Sequence, residues 1–460
     1  MSRRKLSGDA LADVLARAAD PTAYEAWASQ ARSARYCANP VRLAGRTDGH
    51  DPETGELTTL FASAGQPDGA LLKACGQRRA TACPACAAVY RLDARQLVAA
   101  GLRGGKGIPS EIVDHPSVFT TLTAPSFGPV HHQTDGRCHP GQRSSCPHGR
   151  SAVCDLRHKD SDVLLGQPLC PKCFDYERAV LWNSLVTELW RRTTIYLRRR
   201  LAGALGIGVR DLDRVARLSF VRVVEYQRRG LIHVHAVIRL DDANDLAPPP
   251  PDLDTRVLAS ALLGAVPAVA VTYPAPWAST DPKVARWGTQ LDVQPISGQT
   301  GPRSPGAVAA YIAKYATKSA DALGSLDHRL KADDLDHLGV SEHLRELVAT
   351  AWRLGGRADL ADLRLRDWAH TLGYRGHWLT KSRRYSTTFG ALRSARTQWR
   401  AERNGRPLPP PETLHRDWRY RARGYTNDGD AWLAATAAAE AAEMRRIASE
   451  ETRTANGDDR

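Results

Sequence analysis

The residues able to do chemistry in this sequence concentrate in two short segments. Gly230-Leu-Ile-His-Val-His235 carries two imidazoles in an alternating apolar run, and Tyr311-Ile-Ala-Lys-Tyr315 carries two phenols one helical turn apart. On a strand, His233 and His235 point to one face, while Ile232, Val234, Ala236 and Ile238 take the other. Two imidazoles with no thiolate between them make half of a divalent-metal site. Read as a helix, Ala307 to Ala320 sets Tyr311, Lys314, Tyr315 and Lys318 within an arc of ~100°, with Ala309, Ile312, Ala313 and Ala316 on the buried side. Tyrosines flanked by lysines and facing a metal site suit nucleophilic attack on a phosphodiester.

The strand ahead of the histidines offers a third ligand. From Ser219 to Gln227, Glu225 and Gln227 share a face and approach the Arg228-Arg-Gly230 turn from the side opposite the histidine strand. Glu225 is the first choice, because a carboxylate suits a hard cation such as Mg2+ or Mn2+, and Gln227 is the second. A phenol has a pKa of ~10, so it must lose its proton beside a metal or another cation to attack at neutral pH. Lys314 and Lys318 would lower that pKa and neutralise phosphate charge. Attack would leave a phosphotyrosine and free a sugar hydroxyl, and a second tyrosine allows a second strand transfer without hydrolysis.

The nine cysteines form groups: Cys37; Cys75, Cys83 and Cys86; Cys138, Cys146 and Cys154; Cys170 and Cys173. Cys83-Pro-Ala-Cys86 and Cys170-Pro-Lys-Cys173 have the spacing that lets two thiolates reach one tetrahedral Zn2+. Cys37 and Cys75 complete the first site in this reading. Two of Cys138, Cys146 and Cys154 complete the second, with His148 and His158 as further candidates. Two structural zinc ions are therefore expected, both closed to substrate and serving folding rather than chemistry.

Around these residues the pattern predicts a helix from Leu11 to Arg32, a strand over Val118–Thr123, and a metal-dependent insertion rich in Cys, His, Gly and Pro over 131–173. A long helix follows from Tyr176 to about Leu201, then the hairpin Ser219–Gln227 and Leu231–Leu240, a strand within Trp287–Val293, and the tyrosine helix. Beyond Leu326 the pattern is mainly helical to about Ala395, and Ala431 to Thr454 is an Ala/Glu/Arg helix. The fold class expected is α+β.

Composition agrees with a polyanionic partner. Lys plus Arg is 64 against 50 Asp plus Glu, a net charge of +14 over 460 residues. There is no apolar run of about 18 residues or more, and Met-Ser-Arg-Arg-Lys lacks a signal-peptide core, so the expected location is the cytoplasm with no membrane partner.

Three segments together resemble a known family. Phe119-Thr-Thr-Leu-Thr123, Glu225-Tyr-Gln-Arg-Arg-Gly-Leu-Ile-His-Val-His235 and Tyr311-Ile-Ala-Lys-Tyr-Ala-Thr-Lys318 are similar, in order, to the three motifs of HUH-endonuclease rolling-circle replication initiators. The closer resemblance is to actinobacterial plasmid initiators of the RepSA type, and it extends to Leu169-Cys-Pro-Lys-Cys-Phe-Asp-Tyr and Leu379-Thr-Lys-Ser-Arg-Arg-Tyr-Ser-Thr-Thr-Phe. What the resemblance implies is a five-stranded antiparallel sheet with the metal site at its centre, nicking of one strand at a double-strand origin, a 5′-phosphotyrosine and a free 3′-OH primer. It also implies that His233 and His235 bind the metal, that Tyr311 and Tyr315 hold the nucleophile positions, and that Lys314 matches the family lysine.

The expected division is an N-terminal region over 1–110, an HUH endonuclease domain over 111–325 with its zinc insertion at about 131–178, a helical DNA-binding domain over 326–400 and a tail with a helix over 401–460. Lys381, Arg383 and Arg384 are the candidate contacts to double-stranded origin DNA, on a basic loop after Trp368, Leu372 and Trp378; single-stranded DNA would enter the catalytic groove. Gly104-Gly-Lys-Gly107 is not a P-loop, so a host helicase and a DNA polymerase are the implied partners. A relaxase or transposase would use the same chemistry, a phosphodiesterase would use water as nucleophile, and a non-catalytic zinc protein would only bind DNA.

Overall fold

The computed structural model describes every residue except 1–6, 143, 245, 275–282, 299–302, 322–325, 327, 406–408 and 456–460, and it leaves out the side chains of 318–321, 411, 449 and 452–455. In chain order the elements are α1 (Gly8–Ala18), α2 (Pro21–Ser33), β1 (Val41–His50), β2 (Leu57–Ala62), β3 (Leu71–Lys73), α3 (Pro84–Arg103), β4 (Ser117–Leu122), α4 (Tyr176–Ala204), α5 (Val209–Val215), β5 (Arg217–Tyr226) and β6 (Ile232–Asp241). They continue with α6 (Thr255–Ala265), β7 (Val271–Tyr273), β8 (Lys283–Ala285), β9 (Leu291–Pro295), α7 (Pro305–Asp321), α8 (Glu342–Leu354), β10 (Leu379–Lys381), α9 (Phe389–Arg403), β11 (Leu414–Arg423) and α10 (Asp428–Ala455).

Contacts divide the chain into two compact units, Met1–Asp93 with Gly390–Arg460, and Ala94–Phe389. This differs from the linear division expected from the sequence, because β11 returns to pair antiparallel with β1, from Val41↔Arg423 to Gly49↔Leu414. In the first unit β1 is central, flanked by β11 and by β2 and β3. Gly45 sits where a Cβ would lie 1.9 Å from the Asp417 carbonyl oxygen, so only glycine lets β11 approach. The single helix expected over Leu11–Arg32 is two. Asp20 caps α2 by accepting from the Thr22 and Ala23 N–H groups, and Pro21 starts the new helix because it has no N–H to continue the old one.

The second unit is built on an antiparallel sheet of order β10-β5-β6-β4-β9, with β6 in the middle. Alternation on β6 separates two environments. Ile232, Val234, Ala236, Ile238 and Leu240 enter the main core with Leu181, Leu189 and Leu197 of α4 and Leu258 and Leu262 of α6. Each fully buried Val, Leu or Ile side chain among them contributes about 1.5–3 kcal/mol. The opposite face carries His233, His235, Arg239 and Asp241, and α7 packs there against β5. The fold is thus mixed α and β with antiparallel sheets.

Two expectations about the C-terminal third are corrected. Residues 326–400 are not a separate helical module: after α8 and short 3-10 turns, β10 forms the edge of the large sheet, with Thr380 opposite Arg222 and Lys381 opposite Val221. The tail holds a full strand as well as its helix. No helix among the described residues is long and apolar enough to cross a membrane.

Candidate active site and metal centres

The β5–β6 hairpin places the candidate metal ligands by register. Glu225 pairs with His233 and Val223 with His235, and across the other edge of β6 Thr121 pairs with His235. The Gln227–Gly230 turn closes with the Gly230 N–H donating to the Gln227 carbonyl, and Gly230 adopts φ +73°. Asn183, fully buried on α4, braces this hairpin: its amide donates to the Gly230 carbonyl at 2.9 Å, and its oxygen accepts from the Ile232 N–H at 3.1 Å.

The two imidazoles lie with ring centroids 4.6 Å apart. Their Nε2 atoms are buried and have no hydrogen-bond partner among the described residues. On the far side, His235 Nδ1 meets the Thr121 hydroxyl at 3.0 Å, which fixes the ring so that Nε2 faces the site. A Glu225 carboxylate oxygen lies 3.5 Å from His235 Nε2. Burial, reinforced by the charges of His235 and Arg229, pushes the His233 pKa down to about 3, which keeps its lone pair available as a ligand. Orphaned ring nitrogens beside a carboxylate fit a hard divalent cation. Among the described residues, His233, His235 and Glu225 do not draw their donor atoms together as tightly as the cysteine clusters do. Gln227, the second choice, is engaged elsewhere: its side-chain oxygen accepts from Arg229 Nε at 2.8 Å.

Helix α7 delivers the phenols. Ile312, Ala313 and Ala316 are buried, while Tyr311 is 38% exposed. The Tyr311 and Tyr315 rings lie 4.5 Å apart, and each is about as near to His235, at 5.1 and 5.2 Å between centroids. Phe119 stacks on His235 at 5.9 Å and meets the Tyr311 ring edge-on at 5.5 Å. Burial, with help from a hydrogen bond to Tyr315, pushes the Tyr311 hydroxyl well above its ordinary range, so it is a neutral phenol until something takes its proton. Lys314 Nζ sits 5.6 Å from the Tyr315 ring centre. Lys318 falls on the same helix, but its side chain lies outside the described residues.

Sequence reasoning missed the supporting groups Thr121, Asn183 and Arg229. Thr121 was legible, since alternation along Phe119-Thr-Thr-Leu-Thr123 puts Phe119, Thr121 and Thr123 on one face. Arg229, half-buried, donates to the Ala124 and Pro125 carbonyls and ties the hairpin turn to the exit of β4. His343 also braces this turn, its Nε2–H donating to the Arg229 carbonyl oxygen at 3.1 Å.

All nine cysteines are free thiols. Cys37, Cys75, Cys83 and Cys86 converge as expected, with sulfur–sulfur separations of 3.7 Å between Cys37 and each of Cys83 and Cys86 and between Cys75 and Cys86. That matches the ~3.8 Å edge of a tetrahedron with metal–sulfur bonds of about 2.3 Å. Cys170 and Cys173 are completed by Cys146 and His148, with His148 Nδ1 3.2 Å from Cys173 Sγ. The expectation of only two sites needs correction, because Cys138 and Cys154 join neither. They form a third group with His131 and His158.

The candidate DNA contacts divide. Lys381 turns back on its own chain, donating to the carbonyls of Ser382, Arg383 and Ser386, and burial lowers its pKa. Arg384 donates to the Asn244 carbonyl and Arg383 is exposed; both lie in the turn after β10, so the basic loop leaves a sheet edge rather than a helical module.

The family model described as "Replication initiator protein, pSAM2" (RepSA) matches residues 23–439. A "Replication initiator protein" of Streptomyces ambofaciens is 41% identical over 441 residues, covering 93% of this chain and 92% of that protein. No solved structure matches. The chain belongs to the RepSA family of replication initiators.

Proposed function

We propose that this initiator is an HUH-type nuclease that cuts one strand of its origin by metal-assisted tyrosine transesterification. The observation that carries the reading is the convergence of Tyr311 and Tyr315, from α7, on His235, from the central strand. Packing alone explains paired aromatics on a helix; it does not explain why they close on His235, beside two buried imidazole nitrogens that make no hydrogen bond among the described residues.

His233, His235 and Glu225 would hold Mg2+ or Mn2+, which when bound supplies polarisation of the scissile phosphate and charge neutralisation. The remaining steps belong to the protein. The attacking phenol loses its proton as its oxygen bonds to phosphorus, and the P–O3′ bond breaks. The 3′ oxygen takes up a proton and is left as a primer, while the 5′ phosphate stays on the tyrosine. Lys314, beside the Tyr315 ring, offsets the charge of the phenolate and phosphate. Rejoining runs the same step in reverse, and the second tyrosine allows it on a second strand. Zinc is the ion best suited to the thiolate-rich clusters. Origin DNA, duplex and single-stranded, is the partner this reading requires, with a host helicase and polymerase following the nick.

The test is incubation of a single-stranded origin oligonucleotide with protein and Mn2+, resolved on a denaturing protein gel. A covalent band present in wild type and absent from the Tyr311→Phe/Tyr315→Phe double variant is expected. Cleavage without any adduct would transfer the nucleophile to water, and binding without cleavage would leave a DNA-binding regulator.

A further inference from the structure

The third cysteine–histidine group is built as a site in its own right. His131 Nδ1 and His158 Nε2 are 3.1 Å apart, Cys154 Sγ is 3.4 Å from His158 Nε2, and Cys138 Sγ is 3.9 Å from His131 Nδ1. A tetrahedral zinc with two sulfur and two nitrogen ligands has edges of about 3.3–3.8 Å. Cys138, Cys154 and His158 are buried. The other face of His158 is also committed: its Nδ1 meets the Asp162 carboxylate at 2.6 Å, the carboxylate–histidine arrangement that orients a ligating imidazole. His132 and His139 also approach Cys138, but His132 is exposed and His139 Nε2 already donates to the Val130 carbonyl at 2.8 Å. The set that closes at four donors is therefore His131, Cys138, Cys154 and His158.

What this group holds in place is visible in the loop that follows it. Asp160 pairs with Arg228 at 2.7 Å. Gly166, at φ +84°, lies so close to the Arg228 backbone that a Cβ would come within 2.4 Å of its carbonyl carbon. Arg228 and Arg229 form the turn of the hairpin that carries His233 and His235. Between the insertion and this turn runs a cleft of about 560 Å³, lined among others by Ser126, His132, Gln133, Arg228 and Gln290. It also reaches Thr123 and Gln227, each two positions from Thr121 and Glu225 at the candidate active site.

We propose that His131, Cys138, Cys154 and His158 bind a third zinc ion, and that this ion pins the 155–166 loop against the hairpin turn to form one wall of the cleft that receives the DNA strand. The second half rests on the nuclease reading above. With two thiolates and two imidazoles the ion has no open position, so its role is to set the wall and not to act on the phosphate.

The experiment uses the full chain in the Tyr311→Phe/Tyr315→Phe background, so that strand binding is read without cleavage. Zinc per chain is measured by mass spectrometry, and affinity for a short oligo(dT) strand by fluorescence anisotropy. Three ions are expected, falling to two in Cys154→Ser, together with about tenfold or greater loss of strand affinity. Asp162→Asn keeps all four ligands and guards against simple misfolding; it should release one ion to a chelator about 10–100 times more readily, with circular dichroism unchanged. Two ions in the parent protein, or three retained in Cys154→Ser, would overturn the site. Loss of the ion with strand affinity unchanged would overturn its role in the wall. Failure of the nuclease reading shows separately, as the absence of a covalent adduct in the tyrosine-intact protein.

Discussion

Glu225 stands directly across the ladder from His233, yet its carboxylate leans to within 3.5 Å of His235 Nε2. One residue of β5 is thus tied to both histidines of β6, to His233 by backbone register and to the His235 imidazole by its side chain. Glu225→Gln preserves shape and removes the charge that a hard cation needs. Nicking at limiting Mn2+ is expected to fall about 100-fold, with partial recovery at high Mn2+. Loss that no metal concentration recovers would point to a role for the carboxylate in proton transfer.

The hairpin turn offers a second check. At Gly230, alanine would force a side chain into the left-handed region at φ +73° and set its Cβ 2.4 Å from Leu347 Cδ1. The strain alone costs about 1–3 kcal/mol. A lower melting temperature is expected, along with a loss of nicking larger than the stability change explains, because displacing the histidine strand misaligns the site. Thermal melts and single-turnover nicking on the same preparation separate the two effects.

Acid stability should depend on Asp241. Burial pushes its pKa up, but hydrogen bonds from His115, Arg239 and Ser219 outweigh this and hold it at about 2. A depressed carboxylate contributes stability that is fully present above its unfolded value of ~4 and is lost as pH falls toward 2. The contribution is about 2 kcal/mol at neutral pH. Asp241→Asn also leaves the fully buried Arg239 guanidinium without its counter-charge, so a loss of about 3–5 kcal/mol is expected. In melts from pH 7 downward, the gap between variant and wild type should narrow toward pH 2.

Removal of one thiolate from the first cluster has a regional effect. Cys83→Ser is expected to lower the zinc content by one ion per chain and to open residues 37–86 to proteolysis, because that segment is folded around the Cys37, Cys75, Cys83 and Cys86 sulfurs. The β5–β6 hairpin belongs to the other unit and should keep its protection in hydrogen exchange. Protection lost equally in both units would argue against a local structural ion.

The β5–β6 hairpin was legible because its signal is dense: a glycine turn, and on β6 an alternation that puts His233, His235, Arg239 and Asp241 on one face and Ile232, Val234, Ala236, Ile238 and Leu240 on the other. The tyrosine helix was legible for the same reason at the helical period. Strand β11 was not. In its sequence Leu414-His-Arg-Asp-Trp-Arg-Tyr-Arg-Ala-Arg423, Trp418, Tyr420 and Ala422 do alternate with arginines, but the run is short and dominated by charge, the strand buries almost nothing, and its pairing is set by β1, far away in sequence. Strand β10 was hidden by its length of three residues and by basic side chains that read as a loop. The partition of cysteines depended on three-dimensional convergence that spacing does not encode, which is why Cys138 and Cys154 were separated from Cys170 and Cys173 only by the fold.

The pairing of β1 with β11 also sets an order in time. On the ribosome, residues 41–50 emerge early and wait for residues 414–423, so the whole span bearing the histidines and tyrosines is synthesised before the first sheet can close. A translation product that stops after α7 would already contain both phenols yet present an unpaired β1 edge, the kind of exposed strand that proteases and chaperones engage. Closure of the first sheet thus reports that translation has passed β11.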